Sequence, residues 1–95
     1  MIEYLYNCIR ASAGKDETVC AKLTDTTGAF LTSGCHLMIF DKNEELLGTI
    51  DGMYVDDNWF FTIPAQLTEG LEGKHWYCVC HESTNLCFKQ PIYFI

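Results

Sequence analysis

Glu17-Thr18-Val19-Cys20-Ala21-Lys22-Leu23-Thr24-Asp25-Thr26-Thr27-Gly28 is the stretch that decides the fold. Val19, Ala21 and Leu23 fall on one side of an extended chain, and Cys20, Lys22 and Thr24 fall on the other. Period two with one polar face predicts a half-buried strand over Glu17 to Asp25. Asp25-Thr26-Thr27-Gly28 then predicts a turn. An Asp side chain accepts hydrogen bonds from its own turn, and Gly adopts positive φ without strain.

The same alternation of strand and turn continues in both directions. Turn clusters recur at Asp41-Lys42-Asn43-Glu44, Asp56-Asp57-Asn58, Glu69-Gly70-Leu71-Glu72-Gly73 and Ser83-Thr84-Asn85. Between them lie short runs rich in β-branched and aromatic residues. Residues 2–10 read as a first strand. Cys35 to Asp41 is apolar on both faces, as expected of a central strand. Leu46 to Tyr54 reads as a strand loosened by Gly48 and Gly52, which predicts a bulge or a bend that switches sheets. Asn58 to Ile63 places Trp59, Phe61 and Ile63 on one face, and Pro64 ends it because proline cannot donate to a ladder. Ala65 to Gly73 is the one segment able to hold a helical turn, at a corner between sheets. Lys74 to Glu82 and Leu86 to Ile95 form a closing hairpin, with Pro91 at an edge or bulge. The expected fold is all-β: a single immunoglobulin-like antiparallel β-sandwich of about seven strands over residues 1–95. Its core should hold Val19, Leu23, Leu37, Ile39, Trp59, Phe61, Ile63 and Trp76. On strand Lys74 to Glu82, the alternation of Trp76, Cys78 and Cys80 against Tyr77, Val79 and His81 puts Trp76 inward, above small cysteines. Tyr77 is left to hydrogen-bond at the rim.

Composition narrows the function classes. The chain has 95 residues, 48% hydrophobic and 14% aromatic, enough for one core and too apolar for a disordered chain. Thirteen acids against six bases give a formal charge of −7, which argues against direct nucleic-acid binding and against an anionic membrane surface. No apolar run is long enough to span a membrane. The acidic, h-region-free start predicts synthesis and folding in a bacterial cytoplasm without a signal peptide.

The six cysteines are Cys8, Cys20, Cys35, Cys78, Cys80 and Cys87. Without a secretory signal they are expected to be mostly reduced thiols serving as small hydrophobes. Cys78, Cys80, His81 and Cys87, with Cys35 and His36 elsewhere, resemble zinc ligands in type. On a strand, however, C-x-C separates its two residues by about 6.6 Å along the chain, and His81 points away from both cysteines. A catalytic cysteine needs a histidine within hydrogen-bond reach, and Cys35 and His36 point to opposite faces. His75 and His81 share a face and await a cysteine from elsewhere; the three histidines are expected at the surface or rim. Asp51, Asp56 and Asp57 lack the spacing of a calcium loop and read as solvated turns. The expectation is therefore no enzyme, with no catalytic, cofactor-binding or metal residues. Tyr4, Tyr6, Phe60, Tyr77, Tyr93 and Phe94 exceed what one small core can hold, so some should form an outer, interface-forming face.

The Asp25-x-x-Gly28 turn, the apolar strand ending at Asp41 and the glycine-containing strand after it together resemble a known family. So do Trp59-Phe60-Phe61-Thr62-Ile63-Pro64 and Leu71-x-Gly73-x-x-Trp76-Tyr77. The family is the small immunoglobulin-like domains of tailed-phage virion proteins, such as the N-terminal domains of tail baseplate upper proteins. The resemblance covers roughly residues 14–95, and Cys78-Val79-Cys80 departs from it. It implies a virion structural or binding module, such as a head-decoration, head–tail or tail-baseplate component. Its partners would be other virion proteins or copies of itself, with no membrane and no small-molecule substrate. The pattern defines a scaffold and transfers no site residue. Two other classes stand beside it: a small acidic inhibitor of a host nucleic-acid-binding enzyme, as in anti-CRISPR proteins, and a metal or redox protein using Cys78, Cys80 and Cys87.

Overall fold

The structure is a computed structural model that describes residues 2–5, 8–81 and 88–95. The turn at Ser83-Thr84-Asn85, the start of the last expected strand, Tyr6 and Cys87 lie outside the described residues. Nine strands and one helical turn are described: β1 (Ile2–Tyr4), β2 (Ile9–Ala11), β3 (Glu17–Ala21), β4 (Cys35–Phe40), β5 (Leu46–Asp51), β6 (Met53–Val55), β7 (Asn58–Ile63), α1 (Ala65–Thr68), β8 (Gly73–His81) and β9 (Gln90–Phe94). Two sheets form, one of six strands in the order β1-β2-β9-β8-β4-β5 and one of three in the order β3-β7-β6. The chain is an all-β sandwich.

The strand count exceeds the seven expected because two expected strands each divide. Residues 2–10 become the antiparallel pair β1 and β2, and β2 then runs parallel to β9, the one departure from antiparallel pairing among the described residues. Leu46 to Tyr54 becomes β5 and β6, which belong to different sheets. Gly52 is the switch. A Cβ there would lie 2.5 Å from ring atoms of both Trp59 and Phe61, so only glycine lets the backbone cross that close to the core. Earlier in β5 the ladder with β4 steps from Ile39↔Gly48 to Phe40↔Leu46, leaving Leu47 as the extra residue of a bulge.

The turns form as their sequences predict. Asp25 Oδ1 accepts from the Thr27 amide at 2.8 Å, the Thr27 hydroxyl at 2.6 Å and the Ala29 amide at 3.1 Å. Asp41 Oδ1 repeats this arrangement with the amides of Asn43 at 2.7 Å and Glu45 at 2.9 Å. The fourth residue of each turn has positive φ: 90° at Gly28 and 65° at Glu44. Asp56 and Asp57, both at positive φ, form the two-residue turn between β6 and β7. Pro91 sits opposite Trp76 in the β8–β9 ladder, just before Ile92, where pairing with β2 begins, so β9 has no β2 partner at the proline.

The main core lies between the sheets: Ile9, Ala11, Val19, Cys35, Leu37, Ile39, Trp59, Phe61, Ile63, Ile92 and Phe94. Leu23 packs against it, partly buried. Trp76 does not join it. In the register of β4 and β8, Leu37 pairs with Val79 and Ile39 with Tyr77, so the odd-numbered residues of β8 face inward. Trp76 joins Phe40, Cys78, Cys80 and Met38 in a second cluster on the outer face of the larger sheet, where the Lys74 ammonium lies 4.5 Å from the indole centroid. The strand alternation was legible; the facing was reversed. For the same reason His75 is buried rather than at the rim, its ring edge-on to Phe94 at 5.3 Å.

Candidate functional site

A cavity opens at the end of the sandwich where β4 begins and β8 ends. It holds about 450 Å³ and is lined by residues of the 23–31 hairpin and of these two strands. Leu23, Leu31 and Val79 form its apolar wall; Thr24, Asp25, Thr26 and His81 supply polar groups. That volume and mixture fall in the range of small-ligand and side-chain pockets.

A long-range hydrogen bond ties the hairpin to the core. The Trp59 indole N–H donates to the Leu31 carbonyl at 2.7 Å, tying the loop to the core residue beneath it. Within the loop, Leu31 N–H donates to the Leu23 carbonyl at 2.9 Å and Thr24 bridges Phe30. Among the described residues, the loop is thus held by its own backbone pairing, by the indole bond and by Leu23 and Leu31 packed on the core. Asp25 is exposed at the mouth. Its carboxyl is held below the usual value, chiefly by the Thr27 hydroxyl and amide bonds, with desolvation opposing them. It therefore stays ionised well into the acidic range.

Cys35 and His81 are the residues that sequence reasoning did not bring together. They are cross-strand partners in the β4–β8 ladder and both line the cavity. Nothing in the sequence marks the pair, since it exists only once the register of two strands distant in sequence is fixed. The Cys35 sulfur is buried and directed to the Ser33 carbonyl at 3.9 Å. Asp25 is committed to its own turn, so cysteine, histidine and aspartate do not form a relay of nucleophile, base and orienting acid.

The sulfur groups on the outer face behave differently. Cys78 and Cys80 are buried, as expected, with sulfurs 3.6 Å apart and Cys80 3.8 Å from the Met38 sulfur. An S–S bond is about 2.05 Å, so these two are not joined to each other. Cys8, Cys20 and Cys35 are outside any disulfide. Cys78 and Cys80 both project from one face of β8 into a single apolar cluster, which brings sulfur within reach of sulfur. His81 faces the opposite side from them. Among the described residues, no group of three or more His, Cys, Asp and Glu is gathered to hold a metal ion. Asp57 accepts the Tyr54 hydroxyl at 2.8 Å, a bond that raises the phenol pKa and makes Asp57 a turn residue.

The surplus aromatics divide as expected. Tyr4 and Tyr93 are exposed, Phe60 and Tyr77 half-buried, and Phe94 buried. Tyr77 donates to Gln90 Oε1 at 2.8 Å, and burial raises its pKa. Further apolar exposure lies elsewhere. The β5–β6 flank, the free edge of both sheets on that side, carries exposed Leu46, Leu47, Met53 and Val55.

No family model matches this chain, and no solved structure matches it. Among curated proteins, glutamate–tRNA ligase 1 of Rickettsia rickettsii (strain Sheila Smith) is 32% identical over 47 residues, half of this chain and a tenth of the ligase. The matched region thus spans about a tenth of that relative's length. A likeness of that extent fixes neither a family nor an activity.

Proposed function

We propose that this chain is a non-enzymatic structural or binding module of a tailed-phage particle, such as a head-decoration, head–tail or tail-baseplate component. The observation that carries the binding role is the β5–β6 flank. Leu46, Leu47, Met53 and Val55 are all exposed on two consecutive edge strands. Exposed apolar groups beside unpaired strand edges are what a protein partner covers.

Strand order supports the family resemblance. With β3, β7 and β6 taken as B, E and D, and β9, β8, β4 and β5 as G, F, C and C′, the order of these seven strands is compatible with an immunoglobulin-like reading, with β1 and β2 added beside β9. The helical turn α1 falls in the E–F connection. The charge of −7 speaks for a protein partner over a nucleic acid, the tRNA of the partial relative included.

Mass spectrometry of purified particles of a phage that encodes the chain tests this reading. Many copies per particle are expected. Absence from particles, with co-purification of a host nuclease, would overturn it in favour of an inhibitor.

A further inference from the structure

We propose that the cavity between the 23–31 hairpin and the ends of β4 and β8 is an anchor pocket for one basic side chain, Lys or Arg, of a protein partner. This rests on the reading of the chain as a binding module and names the chemistry that the module recognises.

Three features of the cavity point to that occupant. Its wall is aliphatic, formed by Leu23, Leu31 and Val79, and suits the methylene stem of a long side chain. Its volume of about 450 Å³ holds such a side chain with room for water. Its mouth carries Asp25, whose carboxylate is exposed and kept ionised by its own turn, so an incoming cation meets a fixed charge. Thr24 and Thr26 flank that carboxylate with hydroxyls that can accept from an ammonium or guanidinium. The pocket is also rigid for a loop site, since the Trp59 indole fixes the Leu31 carbonyl at 2.7 Å. A preformed pocket spends little free energy on ordering when it is filled. The whole chain adds long-range attraction. At a formal charge of −7 it draws basic segments, and an anionic or neutral side chain gains nothing from that field.

The test is an NMR titration of the full chain, labelled with ¹⁵N, using four capped tripeptides: acetyl-Gly-X-Gly-amide with X as Lys, Arg, norleucine or Glu. The expected result is shift changes confined to Leu23, Asp25, Leu31 and Val79. Lys and Arg should bind about threefold to fivefold more tightly than norleucine, with Glu weakest, the preference fading in high salt. Asp25→Asn keeps an acceptor for the turn and should erase the Lys-over-norleucine preference while norleucine still binds. Thr26→Lys, at an exposed site on the cavity rim, should abolish Lys binding with the circular dichroism spectrum unchanged. Equal binding of Lys and norleucine to the parent chain, or shifts on the β5–β6 flank instead, would overturn the proposal. Particle composition is measured separately, so failure of the virion reading and failure of the pocket are told apart.

Discussion

Glu44 shows what a single residue costs in a turn. It occupies the position that Gly28 takes in the other Asp-initiated hairpin, at φ 65° against 90°. A non-glycine residue in that region carries roughly 1–2 kcal/mol of strain. Glu44→Gly should therefore raise stability by about 1 kcal/mol, even though it removes the exposed Lys89–Glu44 pair at 3.6 Å, because surface pairs contribute little. Asp41→Ala should lower stability by about 1 kcal/mol, since the amides of Asn43 and Glu45 lose their acceptor. Urea midpoints of the two variants should move in opposite directions, and a shared direction would refute the account. Asp25 adds a pH dependence of definite sign. Its folded pKa lies below the ordinary 3.8, so its contribution is fully present above the unfolded value and is lost as pH falls through the folded one. Amide protection factors at Thr27 and Ala29, taken relative to the intrinsic exchange rate at each pH, should fall over that acidic window in the parent chain and stay flat in Asp25→Asn. Equal pH profiles would contradict this.

At the scale of elements, Gly52 decides where one sheet ends and the other begins. A methyl group there would sit 2.5 Å from Phe61 Cε1 and Trp59 Cε3, two rings that cannot retreat from a filled core. Gly52→Ala should cost about 1–3 kcal/mol and perturb tryptophan fluorescence in the folded state, read by urea unfolding at a fixed emission wavelength. An unchanged midpoint would mean that β5 and β6 can separate without a close crossing. The α1 corner is held by side chains from far along the chain. Asp16 Oδ1 accepts the Ala65 amide at 2.7 Å, and Thr68 Oγ1 accepts the Gly14 amide at 2.9 Å. These bonds tie the loop before β3 to the connection after β7, so the short helix is a product of packing rather than of its own propensity.

For the whole molecule, the division of apolar surface separates stability from assembly. The cores hold the fold, while Leu47 and Met53 face solvent on the β5–β6 flank. Leu47→Glu together with Met53→Glu should leave the unfolding free energy within about 0.5 kcal/mol per site, as expected of exposed positions, and should prevent incorporation into particles. Normal incorporation of this double variant would place the partner surface elsewhere.

The sequence by itself determined the all-β class, the placement of most turns and the strand cores at Cys35 to Phe40 and Asn58 to Ile63. These depend on local physics: alternation along a few residues, Asp25 and Asp41 closing their own turns, and Gly28 accepting positive φ. It also determined that Trp76, Cys78 and Cys80 share a face. Only the tertiary structure decided which face that was. Period two groups residues without saying which group meets the opposite sheet, and the Leu37↔Val79 and Ile39↔Tyr77 register gave the inner side to Tyr77 and buried His75 with it. The parallel pairing of β2 with β9, the meeting of Cys35 with His81 and the cavity above them arise in the same way. Each depends on contacts between segments distant in sequence, and such contacts leave no periodic trace in either segment alone.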